Sequence, residues 1–216
     1  MKILKKWYLF LMALCMATLA ASAHASSMEA PDALVKRISK EVMDAAKANK
    51  EIKQGNQKQI YALVENTIFP HVNFQRMTSL AAGRYWRQAT PEQKEQLTRE
   101  FRDLLVYTYA NAVSKIDNQR LEFKPLRMSP NATDVVVYSR IIQPRGGEPI
   151  ELSYRMEKTD NGWKIYDVNV LGAWLIETYK GTFASEISRS GIDGLINALA
   201  QKNKQLASAK PAAAKK

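Results

Sequence analysis

Few residues of this 216-residue chain are of types that do covalent chemistry, and their spacing assembles none of them into a catalytic pattern. There are two histidines, His24 and His71, and one cysteine, Cys15. His24 and Cys15 lie in the segment read below as a leader, which leaves one imidazole and no thiol. A lone histidine cannot build a zinc site without further ligands at suitable spacing, and none accompany His71. It could serve a serine nucleophile, but no Gly-x-Ser-x-Gly elbow occurs, and Gly146-Gly147 reads as a turn rather than a phosphate loop. Asp167, between Tyr166 and Val168, could point into a cavity as a general base. With no second acid–base residue in view, a structural carboxylate paired with an arginine or a backbone donor is the expectation. Asp103 with Arg99 or Arg102, and Glu92 with Glu95, have the spacing of solvated helix faces. Enzymatic turnover and a resident metal are therefore not expected. The aromatic residues Tyr85, Trp86, Tyr107, Tyr109, Tyr154, Trp163, Tyr166 and Trp174 are of the kind that lines apolar ligand sites, and equally of the kind that fills cores.

The elements that must position these residues begin after a targeting segment. Lys2, Lys5 and Lys6 form a basic start, Trp7 to Ala21 an apolar stretch, and Ala23-His24-Ala25 a small-x-small cleavage site. Residues 1–25 are read as a signal peptide cleaved after Ala25, too short in its apolar part for a comfortable span of about 20 residues. Losing its three lysines lowers the formal charge from +11 to +8, and setting aside Lys202, Lys204, Lys210, Lys215 and Lys216 leaves +3 for the body. The basicity belongs to the ends of the chain, which argues against nucleic acid as a partner. Residues 204–216, rich in Lys and Ala, are read as a disordered tail, and 26–203 as one domain.

Within the domain, helical spacing predicts a helix over 31–49 (Leu34, Val35, Ile38, Val42, Ala46), a second through Ile60, Leu63, Val64 and Ile68, and a short third over 74–82. Thr90-Pro91-Glu92-Gln93 has the form of a capping box opening a helix that runs to Ser114, with Leu97, Phe101, Leu104 and Leu105 along one face. The period then changes. Residues 120–127, 133–142, 149–157 and 163–170 read as strands joined by short turns, hence antiparallel neighbours. Ile150, Leu152, Tyr154 and Met156 alternate with polar residues. Val135, Val137 and Ile141 share a face, while Val136, Tyr138 and Ile142 make the opposite face apolar, so that this strand is expected to be covered on both sides. Helices over 173–189 and 192–203, broken at Gly191, close an α+β fold of four or five antiparallel strands with helices at both ends.

Several segments carry a resemblance. Leu80-Ala81-Ala82-Gly83-Arg84-Tyr85-Trp86-Arg87-Gln88-Ala89-Thr90-Pro91-Glu92-Gln93 resembles the LG-x-Y/W-x-x-A-T/S-P-x-Q signature of the MlaC family, with Ala82 where that family often has leucine. Phe101-Arg102-Asp103-Leu104-Leu105, Gly162-Trp163-Lys164-Ile165-Tyr166-Asp167-Val168 and Ser190-Gly191-Ile192-Asp193-Gly194-Leu195-Ile196 follow in the same order as in that family. These are periplasmic phospholipid-binding components of a lipid-transport ABC system, also known as toluene-tolerance auxiliary proteins. The resemblance implies a sheet of the nuclear-transport-factor-2 type enclosing an apolar pocket, with a bound phospholipid as ligand and no cofactor. It also implies exchange of lipid, as a monomer, with an inner-membrane ABC complex and an outer-membrane lipoprotein/porin complex. The pocket would be lined by Val135, Val137, Ile141, Ile150, Leu152, Tyr154 and Met156 and roofed by Leu104, Leu105, Thr108 and Trp174. Leu152→Asp or Val137→Asp would then lower lipid content in a folded protein. Arg84 and Arg87 could meet headgroups or partners at the mouth. Small isomerases and dehydratases share such sheets, and for that alternative Asp167 with His71 is the acid–base pair on offer. A scaffold without ligand is the third reading.

Overall fold

The computed structural model describes residues 28–208; the expected signal peptide and the tail beyond Ser208 lie outside the described residues. Helix α1 (Pro31–Ala48) opens with proline at its first position and buries the predicted stripe of Leu34, Val35, Ile38, Val42 and Ala46. Two asparagine caps follow. Asn49 accepts from the backbone of Glu51 and Ile52 to start the short α2 (Lys50–Lys53), and Asn56 accepts from Lys58 and Gln59 to start α3 (Gln57–Thr67). A 3-10 turn over Phe69–His71 leads to α4 (Phe74–Ala82). Helix α5 (Pro91–Ser114) begins with the capping box in place, Thr90 and Gln93 each bonding the other's backbone N–H.

The sheet is a five-stranded antiparallel meander in the order β1 (Arg120–Phe123), β2 (Asp134–Ile142), β3 (Ile150–Thr159), β4 (Gly162–Val170), β5 (Ala173–Trp174). The fifth strand is a two-residue edge. The first is shorter than the predicted 120–127, because the chain leaves the sheet after Phe123. One irregularity decides how β4 faces its neighbours. Arg155 pairs with Asp167 and Met156 with Ile165, so Tyr166 is an extra, bulged residue. Below the bulge Trp163 and Ile165 face inward; above it Val168 does, opposite Tyr154. Tyr166 and Asp167 consequently both face outward, toward α4 and the last helix, so Asp167 does not point into the space under the inner face.

Apolar side chains gather in three clusters. The inner face of the sheet packs on α1. The end of α1, α2 and α3 pack on α5 through Ala46, Ile52, Ile60, Val64, Val106 and Ala110. Helices α4, α5 and α6 (Leu175–Ser208) form the third with Tyr166. The outer face of β2 is not covered as expected: Tyr138 is 47% exposed and Val136 and Ile142 are only partly buried. Among the described residues no helix is long and apolar enough to cross a membrane.

Helix α6 runs to Ser208, past the position where the tail was expected to begin, and breaks at Gly191 as predicted. The break has φ 73° and ψ −179°, a region that is nearly glycine-only, yet a Cβ placed there would meet nothing within 4 Å. Backbone conformation alone therefore selects glycine. Gly191→Ala is expected to lower the unfolding free energy by about 1–3 kcal/mol in urea titrations, and a loss near zero would mean that the break can straighten.

Candidate functional site

The sheet members of the sequence-derived set fall on one surface. Val135, Val137, Tyr154 and Met156 share the inner face with Trp163 and Ile165, packed against Leu34, Val35, Ile38 and Val42 of α1. Ile141, Ile150 and Leu152 continue that face toward the far ends of the strands, where they are half-buried. The helical members go elsewhere. Leu104 and Leu105 are buried among Phe101, Phe183 and Leu195 in the helical cluster, and Thr108 is exposed. Trp174 is half-buried with the Arg155 guanidinium 3.9 Å from its ring centroid. The roof over the inner face is α1, whose stripe was legible in the sequence but was read only as a helix face.

A small domain usually has one contiguous core with minor satellites. Here three clusters meet along a seam of apolar residues that pack against two clusters each and still retain accessible surface. Leu63, Ile68 and Ile116 join the sheet cluster to the α3–α5 cluster, and Val72 and Val168 join it to the helical cluster. Tyr154 stands beside this seam. Its side chain is only partly buried, and desolvation raises its phenol pKa. The seam residues were missed by the sequence reading; a hint was the apolar face of α3, where Leu63 and Ile68 make the stripe wider than one contact needs.

The charged groups sit outside the seam and are largely paired. Asp167 is fully buried on the outer face. Its Oδ2 accepts from Arg155 Nη1 at 3.0 Å, and its Oδ1 accepts from the backbone N–H of Val168 at 2.9 Å and of Ile176 at 3.1 Å, which ties β4 to the start of α6. Desolvation nevertheless holds its pKa above the ordinary aspartate value. Beside it Arg76 lies 3.7 Å over the Tyr166 ring and pairs with Glu157 and Asp134. Asn73 donates from its backbone to Ile165 O of β4 at 2.8 Å and from its side chain to Glu157 of β3 at 2.7 Å, pinning the start of α4 to both strands. His71 is half-buried among Glu29, Arg37, Glu41 and Lys164, and burial, Arg37 and Lys164 lower its pKa. None of these charges is shared with Asp167, so the one conceivable acid–base pair is not assembled. Asp103 is no solvated partner of Arg102 alone: Tyr61 of α3 donates to it at 2.8 Å, and burial with this bond pushes the Tyr61 pKa up to about 12. A cleft of about 380 Å³ between α4 and α5 is lined by Gln75, Pro91, Lys94, Glu95, Thr98, Arg99 and Arg102. It contains none of the residues of the sequence-derived pocket.

Residues 36–201 match the family model described as MlaC protein. The chain belongs to the MlaC family. Along 204 residues it is 25% identical to the intermembrane phospholipid transport system binding protein MlaC of Haemophilus influenzae, covering 94% of this chain and 95% of that one. Along 166 residues it is 26% identical to the toluene tolerance protein ttg2D of Pseudomonas putida, covering 76% of each. A solved structure, the phospholipid-binding protein from Ralstonia solanacearum in complex with a phospholipid, superposes with a TM-score of 0.77 at 44% identity, covering 82% of this chain and 98% of that chain. The α+β architecture of this MlaC family member is thus that of a phospholipid-binding protein.

Proposed function

We propose that this chain is a periplasmic phospholipid carrier that hides acyl tails in the seam between the inner sheet face, α1 and α3 and leaves the headgroup in water. The observation that carries the reading is the phospholipid held by the 44%-identical Ralstonia protein over nearly its whole length. The energetics explain why a carrier of this build is needed. Each methylene transferred to water costs about 0.8 kcal/mol, so an acyl chain of about sixteen carbons costs on the order of 12 kcal/mol when bare. Holding the tails needs apolar surface and no covalent step, and the carrier is not an enzyme on this reading. Residues 1–25 direct export and leave after Ala25, residues 26–203 form the binding domain, and the monomer exchanges lipid with an inner-membrane ABC complex and an outer-membrane lipoprotein/porin complex. The name of the Haemophilus relative, which places it in an intermembrane phospholipid transport system, supports this assignment.

Native mass spectrometry of the mature protein, purified without detergent, is expected to find a diacyl-lipid adduct. Protein that is folded and lipid-free under those conditions would overturn the carrier. Among single substitutions, Leu152→Asp is the informative one. Leu152 is half-buried on the inner face, opposite Ser139. The variant is expected to stay folded and lose most of its lipid; retention of full lipid content would remove Leu152 from the lining. Val137→Asp is a different experiment from the one the sequence invites. Val137 is 1% exposed inside the sheet–α1 cluster, so a carboxylate there tests folding instead.

A further inference from the structure

The outer face of the sheet is left open where the amino-acid pattern calls for cover. Val136, Tyr138 and Ile142 of β2 face away from α1; Tyr138 is 47% exposed, and the other two are only half-buried. Strand register carries this surface across the sheet. Tyr138 pairs with Ser153, Ser153 with Asn169, and Asn169 with Trp174, so the four share the outer face, with the small Ser153 as a low floor between taller neighbours.

Beyond Val170 the hairpin into β5 turns on Leu171 and Gly172, whose φ angles are 53° and 90°. Two successive left-handed residues make the tight turn that favours Asn-Gly or Asp-Gly, and a leucine in that conformation is strained. Burial does not offset the strain, because Leu171 is 69% exposed, more than any other large apolar side chain among the described residues. The turn is nevertheless braced. Leu171 N–H donates to Glu151 O at 3.2 Å, and Gly172 N–H donates to Oδ1 of the buried Asn169 at 2.9 Å. A leucine held in water against its backbone preference, at the rim of an uncovered apolar face, is a side chain kept for contact outside the chain.

The charges around this surface cancel locally, which restricts what can cover it. Lys124 lies 3.8 Å from Glu151 and 5.9 Å over the Tyr138 ring, and Arg140 bonds Glu122 at 2.7 Å. Arg155 holds Asp167 while stacking on Trp174. Arg120, paired with Ile142 at the corner of the sheet, adds one further cation. A bilayer surface draws a protein through a cluster of about four to eight cations, which this face lacks. A lasting pair of copies needs about 20 residues a side, and the apolar set here is Val136, Tyr138, Ile142, Leu171 and Trp174. A protein that docks briefly through an apolar, nearly uncharged contact satisfies both conditions.

We propose that the outer sheet face is a transient docking surface for a protein partner, which seats an apolar side chain over Ser153 between Tyr138, Leu171 and Trp174. The proposal rests on the carrier reading in one respect: the partner is sought in the membranes between which the lipid moves. The test is co-sedimentation of the mature protein with membrane vesicles from its own cells, with the same vesicles after proteolysis of their exposed proteins, and with protein-free vesicles of the extracted lipids. Wild type is expected to bind the first saturably and the other two only weakly. Leu171→Asn and Tyr138→Ala are each expected to weaken binding to native vesicles about tenfold. Leu171→Asn carries a second signature. Asparagine tolerates the left-handed turn, so its melting temperature should equal or exceed that of wild type, with unchanged lipid content, and lost binding cannot then be ascribed to misfolding. Full binding retained by either variant, or no binding of wild type to native vesicles, would overturn the dock. Equal binding to protein-free vesicles would overturn it in favour of a bilayer, and a wild-type dimer that Leu171→Asn dissociates in sedimentation velocity would overturn it in favour of a second copy. The carrier reading is judged separately, by the lipid adduct on the free protein.

Discussion

Phe101→Ala is expected to cost about 3–5 kcal/mol of unfolding free energy, enough to lower the melting temperature by roughly 10 °C in a domain of this size. Phe101 is 0% exposed. Its ring meets those of Tyr179 and Phe183 at centroid distances of 4.9 Å in edge-on geometry, so one side chain of α5 is gripped by two of α6. Removing it leaves a cavity the size of a ring at the contact that joins the two longest helices. Phe101→Leu, which keeps most of the volume, is expected to lose less than half as much. Chemical denaturation of both variants gives the answer, and an Ala variant within about 1 kcal/mol of wild type would show that the helical cluster collapses around the gap.

The second large effect is at Asp167, where two substitutions should separate. Asp167→Ala strips the acceptor from two backbone N–H groups and from Arg155, and is expected to cost about 3 kcal/mol. Asp167→Asn keeps an acceptor oxygen for Val168 and Ile176 and removes a charge that burial disfavours, so it is expected to lie within about 1 kcal/mol of wild type at pH 7. The pH dependence has a definite sign. The folded-state pKa is raised, so the protonated carboxyl is the form the fold prefers. The contribution of that proton is fully present below the unfolded aspartate pKa and is lost as pH rises through the folded value. Acidification from pH 7 toward that range should therefore shift the stability difference in favour of wild type over Asp167→Asn, read from urea midpoints at several pH values. Equal losses in the Ala and Asn variants would sink the role assigned to the backbone acceptor.

Much of this architecture could be read from residue order because local rules and tertiary packing agree. Thr90, Pro91 and Gln93 start α5 for reasons internal to four residues, Gly191 breaks α6 because of its own dihedral angles, and the α1 stripe from Leu34 to Ala46 is its buried face. The MlaC signature likewise sits on elements that formed where expected. Layer assignment was harder. Leu104 and Leu105 have the same apolarity as α1's residues, and nothing local tells which of two stripes will cover a sheet that lies far away in sequence. The seam was illegible for a related reason. Leu63, Ile68, Val72, Ile116 and Val168 come from α3, the α3–α4 connection, the end of α5 and β4, and only the fold makes them neighbours. Asp167 was misdirected by one bulge that a period of two does not anticipate, although the shift from apolar 163 and 165 to apolar 168 and 170 records it.

That bulge gives β4 one side chain more than its pleat can seat. A single-codon deletion removing Tyr166 would join Ile165 directly to Asp167 and make the pairing with β3 regular, with Ile165 and Val168 still under α1 and Asp167 still on Arg155. What would be lost is an aromatic side chain of the other layer, the one whose hydroxyl donates to Asp134 and whose ring lies under Arg76. The extra residue thus lets a strand set a phenol and an acid side by side against the helices without turning its hydrocarbon out of step.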